Sequence, residues 1–322
     1  MHTNHCAMSN TIFFQSGVRL DASNKFIKEN NMDTNENEIN TNHSSLDRRQ
    51  FVGSAAALAT AIVVTGGMGR AVAGDRKVQE YKFKMPAPHQ ERKPLVGMLL
   101  YPGVTLLDLV GPQTVLAPSC DVHLAWKNTD LLETDSGIVM KASCTLTDCP
   151  KDLDVLFVPG GSFEVMQDDE VLKFLAYRGA RAKWITSVCG GSIVLAAAGL
   201  LQGYKATSHW AARDLLAKFG ATPVNERVVI DRNRVSGGGV TAGIDFGLVL
   251  LATLLGEDVA KMTQLALEYD PAPPFDAGTP EKAGPAIMQK FQEWFGGAGN
   301  TLPQMCDAAA RKMNNYTPVP KS

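Results

Sequence analysis

Trp184-Ile-Thr-Ser-Val-Cys189-Gly190-Gly191-Ser192-Ile-Val-Leu195 decides the fold. A short apolar run leads into a cysteine, two glycines follow, and a small-residue stretch begins. The run reads as a buried strand, and the stretch after it, Gly190–Leu200, as a helix. Glycine is needed where a chain turns sharply and backbones come close. The pattern is that of a nucleophile elbow with sulfur in place of a serine oxygen. A thiol at a helix N-terminus meets the positive end of the helix dipole, which lowers its pKa. The amides just after it can bind a developing anion. Cys189 is therefore expected to be an ionised, accessible nucleophile, with Gly190 as a backbone donor.

Outward from the elbow the pattern alternates. Leu95–Tyr101, Val122–Trp126, Asp154–Val158 and Lys205–Ser208 read as strands, as do Arg227–Asp231 and Arg234–Ser236. Gly137–Leu146 alternates like a strand. Asp108–Leu116, Asp168–Arg181, Ala211–Phe219, Gly243–Leu255 and Asp258–Glu268 have helical character. Strands alternating with helices predict an α/β sandwich with a mostly parallel sheet covered on both faces. In such sheets reactive groups collect beyond the carboxyl ends of strands. The loops after Tyr101, Val158 and Val188 are therefore the places to look.

The chain has 322 residues with 31 Lys+Arg against 33 Asp+Glu, which excludes a strongly basic nucleic-acid binder. Six cysteines are too few for a disulfide scaffold. No CxxC or Cys/His ligand spacing occurs, so a zinc site is not expected, and the chemistry implied below needs no metal or organic cofactor. The N-terminal region is different in character. Residues 1–46 read as a disordered leader, with many Asn, Ser, Asp and Glu after residue 20. Residues 47–73 carry Arg48-Arg49, a weakly apolar stretch from Phe51 to Val64 and Ala71-Val72-Ala73, which resembles a twin-arginine signal peptide. As a helix that stretch rises roughly 20 Å, short of a roughly 30 Å hydrocarbon core, so no stable membrane span is expected. Export to the periplasm, a linker over 74–93, a domain over 94–300 and a tail over 301–322 complete the expected organisation.

Four blocks carry a resemblance to the PfpI-type branch of the class I glutamine-amidotransferase-like superfamily. They are Tyr101-Pro-Gly-Val-Thr-Leu-Leu-Asp108-Leu-Val-Gly-Pro112, Phe157-Val-Pro-Gly160-Gly161, Ser187-Val-Cys189-Gly-Gly-Ser192 and Val240-Thr-Ala-Gly-Ile-Asp245. A fifth, Leu267-Glu-Tyr269-Asp-Pro-Ala-Pro-Pro274-Phe-Asp-Ala-Gly278, resembles the C-terminal segment of isonitrile hydratases. The resemblance implies a flavodoxin-like sandwich that forms homodimers, with Cys189 as nucleophile. It places an acid beside the sulfur, here Asp108, where the residue type equally suits a helix N-cap before Leu109. It puts the Gly160–Gly161 backbone near the nucleophile, where a plain tight turn is the other reading. Protease-like and many deglycase-like relatives carry His after the cysteine, and isonitrile hydratases usually Thr; this chain has Gly190. That difference argues against peptidase chemistry.

His209 is placed either near the elbow or against a local carbonyl. Asp245 reads first as an N-cap. The implied activity is addition of water to a small isonitrile, giving an N-substituted formamide through a Cys189 thioimidate. Glyoxalase-like hydration of small dicarbonyls and a non-catalytic exported ligand-binding module are the alternatives. The related sensory domains of transcription regulators are disfavoured, because only about 40 residues follow the proline segment.

Overall fold

The computed structural model describes residues 92–299 and 301–316. The expected leader, signal peptide and nearly all of the linker lie outside the described residues. Every expected strand has a counterpart, with shifted ends except in the run Trp184–Val188, and the one expected over Lys205–Ser208 lies outside the main sheet. The strands are β1 (Leu95–Leu99), β2 (Asp121–Trp126), β3 (Leu131–Glu133), β4 (Val139–Lys141), β5 (Cys144–Thr145), β6 (Val155–Val158), β7 (Trp184–Val188), β8 (Lys205–Ala206), β9 (Thr222–Pro223), β10 (Val228–Asp231) and β11 (Arg234–Gly237). The helices are α1 (Leu106–Leu116), α2 (Asp169–Gly179), α3 (Gly191–Ala197), α4 (Ala242–Leu255), α5 (Glu257–Ala266), α6 (Pro280–Gly299) and α7 (Leu302–Lys312). The stretch expected as one strand, Gly137–Leu146, is divided between a β3–β4 hairpin and β5, which joins the main sheet. The helix expected near Ala211 is a 3-10 helix, Arg213–Phe219.

Seven strands form the main sheet in the order β10-β11-β7-β6-β1-β2-β5. All neighbours are parallel except β10 and β11. The chain moves outward from β1 to β2 and later returns to β6 on the other side of β1. That reversal opens a crevice at the carboxyl ends of β1 and β6, where α/β sheets bind their ligands. Helices α1 and α4 pack together on one face, and α2, α3 and α7 cover the other. This is the flavodoxin-like sandwich.

Strand β6 is buried at every residue, as a central parallel strand must be. Helix α3 is also buried throughout, and its small side chains let it lie close to the sheet. A side-chain carbon at Gly191 would come 2.1 Å from the Val158 carbonyl oxygen, so glycine is required there. Helix α2 begins as its sequence suggests: the Asp168 carboxylate accepts from the Glu170 and Val171 amides.

Both ends of the described domain differ from expectation. Arg92, read as linker, donates to the Asp154 carboxylate at 2.6 Å, and that acid also holds the Leu95 amide. Residues 301–316, read as a tail, form α7 and a short 3-10 turn. Leu302, Cys306, Ala309, Met313 and Tyr316 enter the core, and the Tyr316 hydroxyl donates to Asp169 at 2.6 Å. Burying one Leu or Met side chain contributes about 1.5–3 kcal/mol. Deletion of residues 301–322 is therefore expected to destabilise the fold by several kcal/mol, read as a lower urea midpoint. An unchanged midpoint would contradict this packing role.

Candidate active site

Three loops converge beyond the carboxyl ends of β1, β6 and β7. The first supplies Asp108. Helix α1 starts at Leu106 with Thr105 as its cap, so Asp108 lies inside the first turn and is not the N-cap. The capping carboxylate comes from elsewhere: Asp135, in the β3–β4 turn, accepts the Leu106 amide at 3.0 Å. Asp108 is thereby free to turn inward. It is fully buried, and its Oδ2 accepts the Gly160 amide at 3.0 Å.

The second loop is Pro159-Gly160-Gly161. Its backbone is stitched to the loop after β1: Thr105 donates to the Gly160 carbonyl and Ser162 to the Gly103 carbonyl, both at 2.9 Å. Gly161 has φ 152° and pairs with Val104 in a β-bridge. A side-chain carbon at Gly160 would lie 2.5 Å from Asp108 Oδ2 and 3.0 Å from Cys189 Cβ. The missing side chain is what lets acid, loop and thiol meet. The Gly160 amide is committed to the Asp108 carboxylate.

The third loop carries Cys189 at φ 57°, a left-handed conformation that costs a non-glycine residue on the order of 1–3 kcal/mol. Surrounding bonds hold it there. Its amide donates to the carbonyls of Gly238 at 2.7 Å and Gly237 at 3.2 Å. Its carbonyl accepts the hydroxyls of Ser208 at 2.7 Å and Ser192 at 3.1 Å. The elbow expected from the glycine pair is therefore present, and Ser208 supports it.

The ionisation differs from expectation. Cys189 is only 2% exposed. Burial pushes its thiol well above the usual range, and the neighbouring Asp108 adds to this, while the Gly190 amide pulls the other way. Loss of water around the sulfur outweighs the helix dipole. The sulfur is enclosed where an accessible one was expected, and its burial opposes the thiolate that the helix dipole favours. Burial also raises Asp108, to about 7, against the lowering effect of hydrogen bonds from Cys189 and Gly160. Its Oδ1 has no hydrogen-bond partner among the described residues. Near neutral pH, then, the pair is a thiol beside a carboxyl that can give or take a proton.

Gly190 has a physical reason to lack a side chain. Phe163, 6% exposed, places its Cζ and Cε1 2.8 and 3.0 Å from where a Gly190 Cβ would stand. The ring occupies the slot that a side chain after the nucleophile would need. Phe163 was not singled out in the sequence, and neither were Tyr101 and Asp135. They act across chain separations that a linear pattern does not encode.

His209 directly follows Ser208, whose hydroxyl holds the Cys189 carbonyl. His209 Nδ1 accepts the Ala211 amide, its ring packs on Trp210 at 5.3 Å, and a Gly239 side-chain carbon would lie 3.3 Å from it. Burial lowers its pKa to about 4, which leaves it neutral at physiological pH. Asp245 lies within α4, whose N-cap is Thr241. It binds Arg227 Nε at 2.6 Å and accepts the Tyr269 hydroxyl at 2.8 Å. This acid ties the start of the proline segment to the body and is not the expected cap. Among the described residues no group of three or more His, Cys, Asp or Glu side chains is arranged to hold a metal.

The model of the DJ-1/PfpI family matches residues 95–253. The chain is 47% identical to an isonitrile hydratase of Pseudomonas putida over 223 residues, covering 68% of this chain and 97% of that one. The chain belongs to the DJ-1/PfpI family. A solved ThiJ/PfpI family protein from Pseudomonas syringae superimposes with TM-score 0.64 at 44% identity, covering 70% of this chain and 97% of that chain. A deglycase of Pyrococcus furiosus is more distant, 27% identical over 119 residues, with 36% of this chain and 72% of that protein covered. Both strong matches span nearly the whole of the related protein, so family membership rests on more than the elbow.

Two predictions follow from this geometry. An acid raised from 3.8 to about 7 on folding binds its proton more tightly in the native state. Its contribution to stability is fully present below the unfolded pKa and declines as pH rises through 7, with a cost on the order of a few kcal/mol above that. Asp108→Asn should accordingly raise the melting temperature at pH 8 and leave it nearly unchanged below pH 4. An equal effect at both pH values would contradict the buried acid. Separately, Gly190→Thr should cost about 1–3 kcal/mol by overpacking. In a double-mutant cycle, Phe163→Ala should recover much of that loss; strict additivity would show that the ring does not fill the slot.

Proposed function

We propose that the protein hydrates small isonitriles to N-substituted formamides, with Cys189 as nucleophile and Asp108 as proton carrier. The observation that carries this reading is the buried pair: one thiol, one acid and one amide-lined turn, enclosed away from water. The 47% identity to an isonitrile hydratase supports the substrate class.

The reaction balances on these groups. An isonitrile carbon is terminal and must gain both a nucleophile and a hydrogen. The Asp108 carboxylate takes the thiol proton as sulfur bonds to that carbon. The resulting carboxylic acid then gives the same proton to the carbon, forming an S-bound thioimidate. Water adds next to this carbon while nitrogen gains a proton. The tetrahedral centre collapses, its C–S bond breaks, the sulfur recovers a proton, and the formamide leaves. No preformed thiolate is required, which suits a thiol whose burial holds it neutral.

Enclosure also bears on the substrate. An isonitrile presents a slim, linear, weakly polar head. A peptide needs more room beside a sulfur that is almost covered. Dicarbonyl hydration is the weaker reading because Gly190 offers no imidazole for it.

The same proposal includes export by the twin-arginine route to the periplasm, on the strength of Arg48-Arg49 and Ala71-Val72-Ala73. It includes a homodimer, which the exposed Met262, Leu265 and Phe275 favour. No helix among the described residues is long and apolar enough to cross a membrane.

The test supplies an alkyl isonitrile to the purified chain and follows formamide. Turnover is expected, with Cys189→Ser and Asp108→Asn each slower by about a thousandfold or more. No turnover by the native protein would end the hydratase reading. Full turnover by Cys189→Ser would end the assignment of the nucleophile.

A further inference from the structure

The peptide between Pro159 and Gly160 is held at both of its ends. Its carbonyl accepts the Tyr101 hydroxyl at 2.9 Å, and its amide donates to Asp108 Oδ2 at 3.0 Å. Tyr101 is 1% exposed, and its ring packs against Trp126 with centroids 6.3 Å apart. A side-chain carbon at Gly161 would lie 2.9 Å from the phenol oxygen, so the hydroxyl passes directly beneath the glycine turn. From these contacts we infer that Tyr101 is a positioning residue, which acts through the Pro159–Gly160 peptide to aim and polarise the amide that holds the Asp108 carboxyl. The inference rests on the reading of Cys189 and Asp108 as the reacting pair.

The physical argument has three steps. First, a hydroxyl bonded to a peptide carbonyl strengthens donation by the amide of the same peptide, because bonds in a chain polarise one another. Second, that amide favours the ionised form of Asp108, as does the hydrogen bond from Cys189. Third, burial, and after it the charge of Asp108, push the phenol well above its usual range, so it remains a donor across the working pH. The titratable groups that face Asp108 are Cys189 from the elbow, Tyr101 from the end of β1 and Asp135 from the β3–β4 turn. Of these, Tyr101 stabilises the carboxylate only indirectly, through the shared peptide. Removing its hydroxyl strands a buried carbonyl and slackens the amide.

Tyr101→Phe keeps the ring and removes only the oxygen, so the fold is retained. The readout is the rate at which iodoacetamide alkylates Cys189, followed by mass spectrometry of the Cys189 peptide in the full-length protein across pH. Alkylation requires the thiol proton to leave, and the Asp108 carboxylate is its nearest acceptor. The native rate is expected to rise through about pH 7, where Asp108 ionises. In Tyr101→Phe that rise should move upward by about half a pH unit, roughly a threefold loss of rate on the acid side. Trp126→Phe loosens packing around the same ring but leaves the hydroxyl, and should not move it. In an Asp108→Asn background the Tyr101 substitution should have no effect on the profile. An unshifted rise in Tyr101→Phe, an equal shift in Trp126→Phe, or a shift that persists without Asp108 would each overturn the inference. Because alkylation needs no isonitrile, a normal Tyr101 effect without turnover would refute the hydratase reading alone.

Discussion

The structure depends on a thiol and a carboxyl, Cys189 and Asp108, buried as neighbours in a place with almost no water. Burial raises the affinity of both groups for protons, to about 7 for Asp108 and well above the usual range for Cys189. Neither can ionise cheaply, and the Gly160 amide is the fixed dipole that makes ionisation of the acid accessible near neutrality. In the proposed reaction a proton is relocated between neighbours, and no standing thiolate attacks. That economy suits a substrate whose reacting carbon must accept a nucleophile and a hydrogen at the same atom.

The fold serves this arrangement. Asp108, Gly160 and Cys189 follow three parallel strands, β1, β6 and β7, which are adjacent in the sheet. The sheet fixes the relative position of their loops, and backbone bonds between the loops finish the job. The cost is visible in the elbow: Cys189 is held in a left-handed conformation by two carbonyls on its amide and two hydroxyls on its carbonyl. It is also visible in a buried acid that destabilises the native state above its pKa. Such local conflict between stability and arrangement is expected at a reactive site.

The elbow and the parallel sheet were legible in the sequence because they depend on local features. An apolar run followed by Cys189-Gly190-Gly191 states where the chain turns, and β7 matches its expected span residue for residue. Asp108 was found through a motif resemblance, but its N-cap alternative failed because Asp135, distant in sequence, caps α1 instead. Ionisation was misread because the helix dipole can be inferred from sequence whereas burial cannot. Helix α7 was missed for a different reason. Leu302, Cys306, Ala309 and Met313 recur at helical spacing, but the region over 301–322 was read as a tail. Tyr101 and Phe163 meet the site only through loops that the fold brings together.

The claim that the resting sulfur is a neutral thiol is tested most directly by ultraviolet titration of its thiolate band, taken as the difference between the native protein and Cys189→Ser. The account predicts no thiolate absorbance from Cys189 at neutral pH, and none until the solution is well into the alkaline range. A thiolate band already present at pH 7 would contradict it, and with it the proton exchange on which the proposed chemistry depends.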